Sequence, residues 1–136
     1  MSTSDRIGAG VSGKILIVED DRFLRDLVSD KLTKEGFETV LAVDGKEGLE
    51  RLASDRPILI LLDLILPEVD GFEFLKLARE GASSAMPPVI VLSNLGTKED
   101  VERATTLGAR AFLVKANFTP DEIIAKVRSV LHEAYP

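Results

Sequence analysis

The chain has 136 residues, 45% of them hydrophobic and 29% charged, with a formal net charge of −6 and no cysteine. That is the length and make-up of one globular domain, and it excludes a disulfide framework, a thiolate metal site and a cysteine nucleophile. The acidic balance argues against direct nucleic-acid binding. No apolar stretch reaches the ~18 residues of a membrane span, and residues 1–13 carry no signal-type segment, so a soluble, cytoplasmic protein is expected.

Residues 1–13 are rich in Ser, Gly and Ala without periodicity and predict a flexible tail. From Lys14 onward, strand-like and helix-like segments alternate. The run Ile15-Leu16-Ile17-Val18 predicts a strand. A helix from Arg22 to Glu35 follows, with Leu24, Leu27, Val28 and Leu32 on one face and Gly36 as its stop. Phe37–Val43 predicts a second strand, with Val40 and Ala42 pointing inward. Asp44 and Glu47 have the spacing of a capping box for a helix reaching about Ser54. Residues 58–62, Ile-Leu-Ile-Leu-Leu, are the third strand and the most hydrophobic run of the chain.

Pro67 to Gly71 predicts a turn, and a helix then runs to about Glu80 with Gly81 as its stop. Val89–Leu92 is the fourth strand. Thr97 and Asp100 have the spacing of another capping box and open a helix to about Leu107, closed by Gly108. Its apolar face is thin: Val101, Ala104 and Leu107. Residues 110–114 are the fifth strand. Thr119-Pro120-Asp121-Glu122 is the strongest helix start, with Thr at the N-cap, Pro at the first helical position and Glu three residues after the cap. Ile123, Val127, Val130 and Leu131 form the inner face of that last helix. The lone histidine, His132, is expected to face solvent late in it.

Five short, nearly continuous apolar strands alternating with helices predict a parallel sheet covered on both faces. Right-handed crossovers then make a (βα)5 doubly wound sandwich of flavodoxin-like strand order 2-1-3-4-5. Its domain is expected over residues 14–133, with a C-terminal tail at 134–136. A ligand site would lie outside the C-terminal strand ends, near the switch between strands one and three.

Those ends are polar. Strand one stops at Glu19-Asp20-Asp21, strand three at Asp63, strand four at Ser93 and strand five at Lys115. Two unit charges about 4 Å apart repel by about 4 kcal/mol at an effective dielectric near 20. Converging carboxylates therefore need protonation or a cation. Oxygen ligands without Cys or His point to Mg²⁺. Cation, ammonium and hydroxyl together describe a pocket for a phosphoryl group. No G-x-x-x-x-G-K-[ST] loop holds a nucleotide. The phosphoryl group would then sit on the protein, with Asp63 as the best-placed nucleophile.

Taken in order, Glu19-Asp20, Asp63 followed by Leu66-Pro67 and Asp70-Gly71, Ser93, Phe112 and Lys115 make the chain resemble the receiver domain of two-component response regulators, of the chemotaxis-regulator type. The resemblance covers roughly residues 14–133. It implies that Asp63 is the phosphoacceptor and that Asp20 binds Mg²⁺ directly, assisted by Glu19. The Ile65 backbone carbonyl would be a further ligand. It also implies that Lys115 and Ser93 contact the phosphoryl oxygens, and that Ser93 and Phe112 form a switch. The implied donor is a phosphohistidine of a histidine kinase or phosphotransfer protein. The implied output is an effector protein or a fused domain, read through the fourth helix, fifth strand and fifth helix.

Asp21 alone could cap the first helix while Glu19 and Asp20 serve the metal. Phe112 could be plain core. The family usually has Pro after the lysine, in a cis peptide, where this chain has Ala116; a cis bond there would cost about 3–4 kcal/mol. Ile65 and Leu95, two residues beyond Asp63 and Ser93, are apolar and cannot position a hydrolytic water, so slow self-dephosphorylation is expected. The rivals are a phosphorylation-independent pseudo-receiver, kept open by Ala116, and an aspartyl-phosphate hydrolase. Ile65 opposes the hydrolase because it stands where a second acid would be required.

Overall fold

The apolar runs are strands because side chains alternate across a sheet, and here both faces are covered. The computed structural model describes residues 13–81 and 86–136. Elements alternate as β1 (Lys14–Val18), α1 (Arg22–Lys34), β2 (Glu38–Ala42), α2 (Gly45–Asp55), β3 (Leu59–Leu62), α3 (Gly71–Gly81), β4 (Val89–Ser93), α4 (Lys98–Thr106), β5 (Ala111–Val114) and α5 (Pro120–Ala134). The strands form one sheet in the order β2-β1-β3-β4-β5, with every pairing parallel. This is the expected fold.

Register explains the two-sided core. Ile15, Ile17, Leu59, Leu61, Ile90 and Leu92 face α1 and α5, against Val28, Leu32, Ile123 and Val127. Leu16, Val18, Ile60, Leu62, Val89 and Val91 face the other side, against Phe74 and Leu75 of α3 and Ala104 of α4. Each such buried Val, Leu, Ile or Phe side chain contributes about 1.5–3 kcal/mol relative to exposure.

Helix starts follow local chemistry. Asp21 caps α1, accepting from Leu24 N at 3.2 Å. Thr119 and Glu122 form a complete capping box at α5. The other two candidates are partial. Thr97 accepts from Asp100 N at 3.1 Å without a reciprocal bond, and Glu47 reaches back to Val43 N at 2.9 Å rather than to Asp44. Gly36 (φ 96°) and Gly108 (φ 107°) take left-handed conformations after α1 and α4, as their positions predicted.

Some boundaries differ from expectation. The second strand is shorter, because Phe37 turns into the core and Val43 is already exposed. α3 runs through Gly81 rather than stopping before it. Of the C-terminal tail expected at 134–136, Ala134 is the last residue of α5 and Tyr135 and Pro136 lie beyond it. The Tyr135 hydroxyl donates to the Ile58 carbonyl at 3.0 Å. That bond ties the C-terminus to the start of β3, which no local signal predicts. Of the expected N-terminal tail, residues 1–12 lie outside the described residues. No helix among the described residues is long and apolar enough to cross a membrane.

Candidate functional site

Parallel register brings four strand ends to one edge. Glu19 N bonds to Ala42 O, and Asp63 N bonds to Val18 O, each at 3.0 Å. The first residues beyond β1 and β3 are therefore still held by the sheet. Ser93 is the last residue of β4, pairs with Val114 and is fully buried. Lys115 follows Val114 directly.

Glu19 and Asp63 are 4% and 5% exposed, depths at which an unpaired carboxylate is not tolerated. Lys115 pairs with both: its Nζ lies 2.6 Å from Glu19 Oε1 and 2.8 Å from Asp63 Oδ2. The remaining oxygens take backbone donors. Asp63 Oδ1 accepts from Ile65 N at 3.2 Å, and Glu19 Oε2 from Asp21 N at 3.1 Å. Asp20 is exposed at the mouth, yet Glu19, Asp20 and Asp63 each offer an oxygen within 4.8 Å of the others.

Burial, with the nearby Asp63 charge, pushes the Glu19 carboxyl up to about 7 despite the hydrogen bond from Lys115. Burial alone would pull the Lys115 ammonium down. Its hydrogen bonds to Asp63 and Glu19, and their charges, outweigh that and hold it above its ordinary value. With all groups ionised, three carboxylates against one ammonium leave two uncompensated negative charges. An all-oxygen set with that imbalance suits a hard divalent cation.

The other expected site residues fall around this centre. The Ser93 hydroxyl accepts from Leu95 N at 3.4 Å. Phe112 is half-buried and packs on the α3–α4 side of the sheet. The Ile65 side chain is 55% exposed at the mouth. There is no cis peptide among the described residues, so Lys115–Ala116 is trans, and Lys115–Asn117 make a short 3₁₀ turn.

Two supports were not anticipated. Arg25 Nη1 donates to the Glu19 carbonyl at 2.9 Å and contacts that of Asp20 at 3.4 Å, clamping the acidic loop from within α1. The cue was an arginine one helical turn past the cap. Gly71 N donates to Leu64 O at 2.9 Å, and a Cβ on Gly71 would lie 2.6 Å from the Asp63 carbonyl. A glycine is required for α3 to start that close to Asp63.

The chain is similar to known proteins in family and in fold. The family model for the response regulator receiver domain matches residues 15–128. The chain is 35% identical over 123 residues to the phosphate regulon transcriptional regulatory protein PhoB of Klebsiella pneumoniae, covering 90% of this chain and 53% of that protein. It is 39% identical over 118 residues to the DNA-binding dual master transcriptional regulator RpaA of Synechocystis, covering 87% and 48%. The chain thus spans about half the length of these curated relatives. Among solved structures, the Vibrio cholerae chemotaxis protein CheY4 superposes with a TM-score of 0.80 at 30% identity, over 89% of this chain and 99% of that one. The BeF3-activated receiver domain of Klebsiella pneumoniae RstA gives 0.78 at 28% identity, over 87% and 97%.

Proposed function

This chain belongs to the receiver-domain family of two-component response regulators, which act in phosphorelay signalling, and from that premise we propose that Asp63 is its phosphoacceptor. The observation that carries the reading is a buried Asp63 whose Oδ2 meets Lys115 Nζ at 2.8 Å, beside two further carboxylates. A carboxylate oxygen of Asp63 attacks the phosphorus of a phosphohistidine in line. The P–N bond breaks, its electron pair stays on the imidazole nitrogen, and an acyl phosphate forms on Asp63.

Asp20, Asp63 and the Ile65 carbonyl would hold Mg²⁺, with Glu19 assisting, and a bound Mg²⁺ offsets the charge that develops on the phosphoryl oxygens. Lys115 exchanges its contact with Asp63 Oδ2 for a phosphoryl oxygen. Ser93 turns its hydroxyl from Leu95 N toward another. Phe112 follows Ser93 inward, and the face built by α4, β5 and α5 changes its affinity for a partner. The chain is read as a phosphoacceptor that assists its own phosphorylation and dephosphorylation, not as a conventional enzyme. Its donor is a histidine kinase or phosphotransfer protein. Its target is an effector protein or an output domain in the same polypeptide.

Incubation with acetyl phosphate, with and without Mg²⁺, followed by intact mass measurement, tests the reading. One phosphoryl group should be gained, and the gain should vanish in Asp63→Ala and on chelation. No gain from any donor would replace this reading with a phosphorylation-independent binding module.

A further inference from the structure

α4 meets α3 across an open groove of ≈ 560 Å³ bordered by Phe72, Lys76 and Leu77 on one side and Arg103, Thr106 and Leu107 on the other. Helices separated in this way do not interlock ridge into groove, and only Ala104 of α4 is fully buried. Two arginines bridge the gap. The Arg103 guanidinium carbon lies 4.0 Å from the centre of the Phe72 ring. Arg79 of α3 donates from Nη1 to the Thr106 carbonyl at 3.0 Å, and the last carbonyls of a helix have no partner within it.

Both ends of this connection lead back to the site. Phe72 directly follows Gly71, whose backbone is pressed against Leu64 and Asp63. Its ring is therefore positioned by the strand end that carries Asp63. At the other end of α4, the chain leaves Ser93, passes Leu95 and Gly96, and caps the helix with Thr97. A Cβ on Gly96 would lie 2.9 Å from Val114, the residue before Lys115. Moving α4 therefore moves the loop that carries Ser93.

We infer that Arg103, Phe72 and Arg79 form a clasp that holds α4 in this position and thereby lowers the susceptibility of Asp63 to phosphorylation. The inference rests on the phosphoacceptor reading of Asp63. It adds a route from Asp63 to α4 through α3, separate from the one through Ser93 and Phe112. A contact made only in the present position of α4 opposes any change that displaces the helix. By linkage, removing it favours the form in which the helix is displaced. None of the three residues touches the reacting atoms, so they are positioning residues.

The test uses the full chain as wild type, Arg103→Ala, Arg103→Lys, Phe72→Leu and Arg79→Ala. The readouts are the initial rate of labelling by acetyl phosphate with Mg²⁺ and amide hydrogen exchange over residues 97–107. Arg103→Ala and Phe72→Leu should raise the rate about two- to fivefold, as expected from losing one cation–π contact at a partly exposed site. Exchange should accelerate within α4 alone. Arg103→Lys, which keeps the cation, should return most of the way to wild type, and Arg79→Ala should act in the same direction more weakly. A purely structural role would speed exchange across the chain without raising the labelling rate. Unchanged or lower rates in both Arg103→Ala and Phe72→Leu overturn the clasp. If wild type gains no phosphoryl group, the phosphoacceptor reading falls and takes the clasp with it. If wild type is labelled and the variants match it, the clasp alone falls.

Discussion

α4 and α5 flank the same edge strand, β5, but are held by different means. α5 buries Ile123, Ile124, Val127, Val130 and Leu131. It is tied to α1 by Lys31–Asp121 and Arg128–Glu35 and to β3 through Tyr135. α4 buries only Ala104 and leans on α3 through two arginines. Elements with few buried contacts open at lower free energy. On the phosphoacceptor reading, a signal formed at Asp63 would meet one compliant neighbour and one firmly seated one. The compliant helix is the one with the thin apolar face.

The contrast breaks first in core truncations. Ile123→Ala in α5 should destabilise the protein by about 2–5 kcal/mol, as buried aliphatic truncations do. Val101→Ala on half-buried α4 should stay below about 1 kcal/mol. Urea unfolding of both variants measures the difference, and equal losses would mean that α4 is as firmly seated as α5.

A second prediction concerns the frame around Asp63. Gly71→Ala puts a Cβ 2.5 Å from Leu64 Cα and 2.6 Å from the Asp63 carbonyl. Overpacking against backbone should cost about 1–3 kcal/mol. Gly81→Ala, at the far end of the same helix, meets nothing within 4 Å and should be neutral or slightly stabilising. Thermal melts of the pair separate a rigid frame from a tolerant one.

A third tests the anchor of α5. Tyr135→Phe removes the bond to Ile58 and should cost about 1 kcal/mol at neutral pH. Burial raises the Tyr135 phenol above its ordinary 10.0. The folded chain therefore keeps this proton where the unfolded chain loses it. The contribution is whole below pH 10.0 and is lost as pH rises through the higher folded value. Lys115, also raised from 10.5, adds a similar alkaline loss. The difference between wild type and Tyr135→Phe isolates the phenol. It should shrink above pH 10.0 in denaturation measured across that range, and a constant difference would remove the titration argument.

The smallest effect is expected at Glu68, which follows Pro67 in the loop after Asp63 and has φ 67°. Glycine takes that conformation without strain but has more freedom to lose on folding. Glu68→Gly should stabilise by a few tenths to about 1 kcal/mol, read as a shift in the urea midpoint. Destabilisation would show that the Glu68 backbone carries little strain.

Most of the site was visible before any contact was known. Asp63 after five apolar residues, Glu19 and Asp20 after four, and Ser93 and Lys115 after the later runs all read as strand ends. In a parallel sheet, strand ends gather at one edge. Asp21 as cap and the Thr119 capping box were equally visible, because their bonds span three residues. What was hidden depends on long sequence separation or on space between elements. Lys115 beside Asp63 follows from the strand ends, but its second contact, to Glu19, does not. Nothing local announces that Tyr135 reaches Ile58 or that Arg103 lies over Phe72.

By itself, then, the sequence determined the alternation of elements, the parallel sheet and the identity of the groups at its edge. Periodicity, capping and the tolerance of a strand for apolar side chains are local properties. Tertiary structure decided how those charges are paired, how deeply Glu19 and Asp63 are buried, and what each of the two helices beside β5 leans on. Those depend on distances between residues far apart in the chain, and on how much apolar surface each helix finds to cover once the sheet has formed.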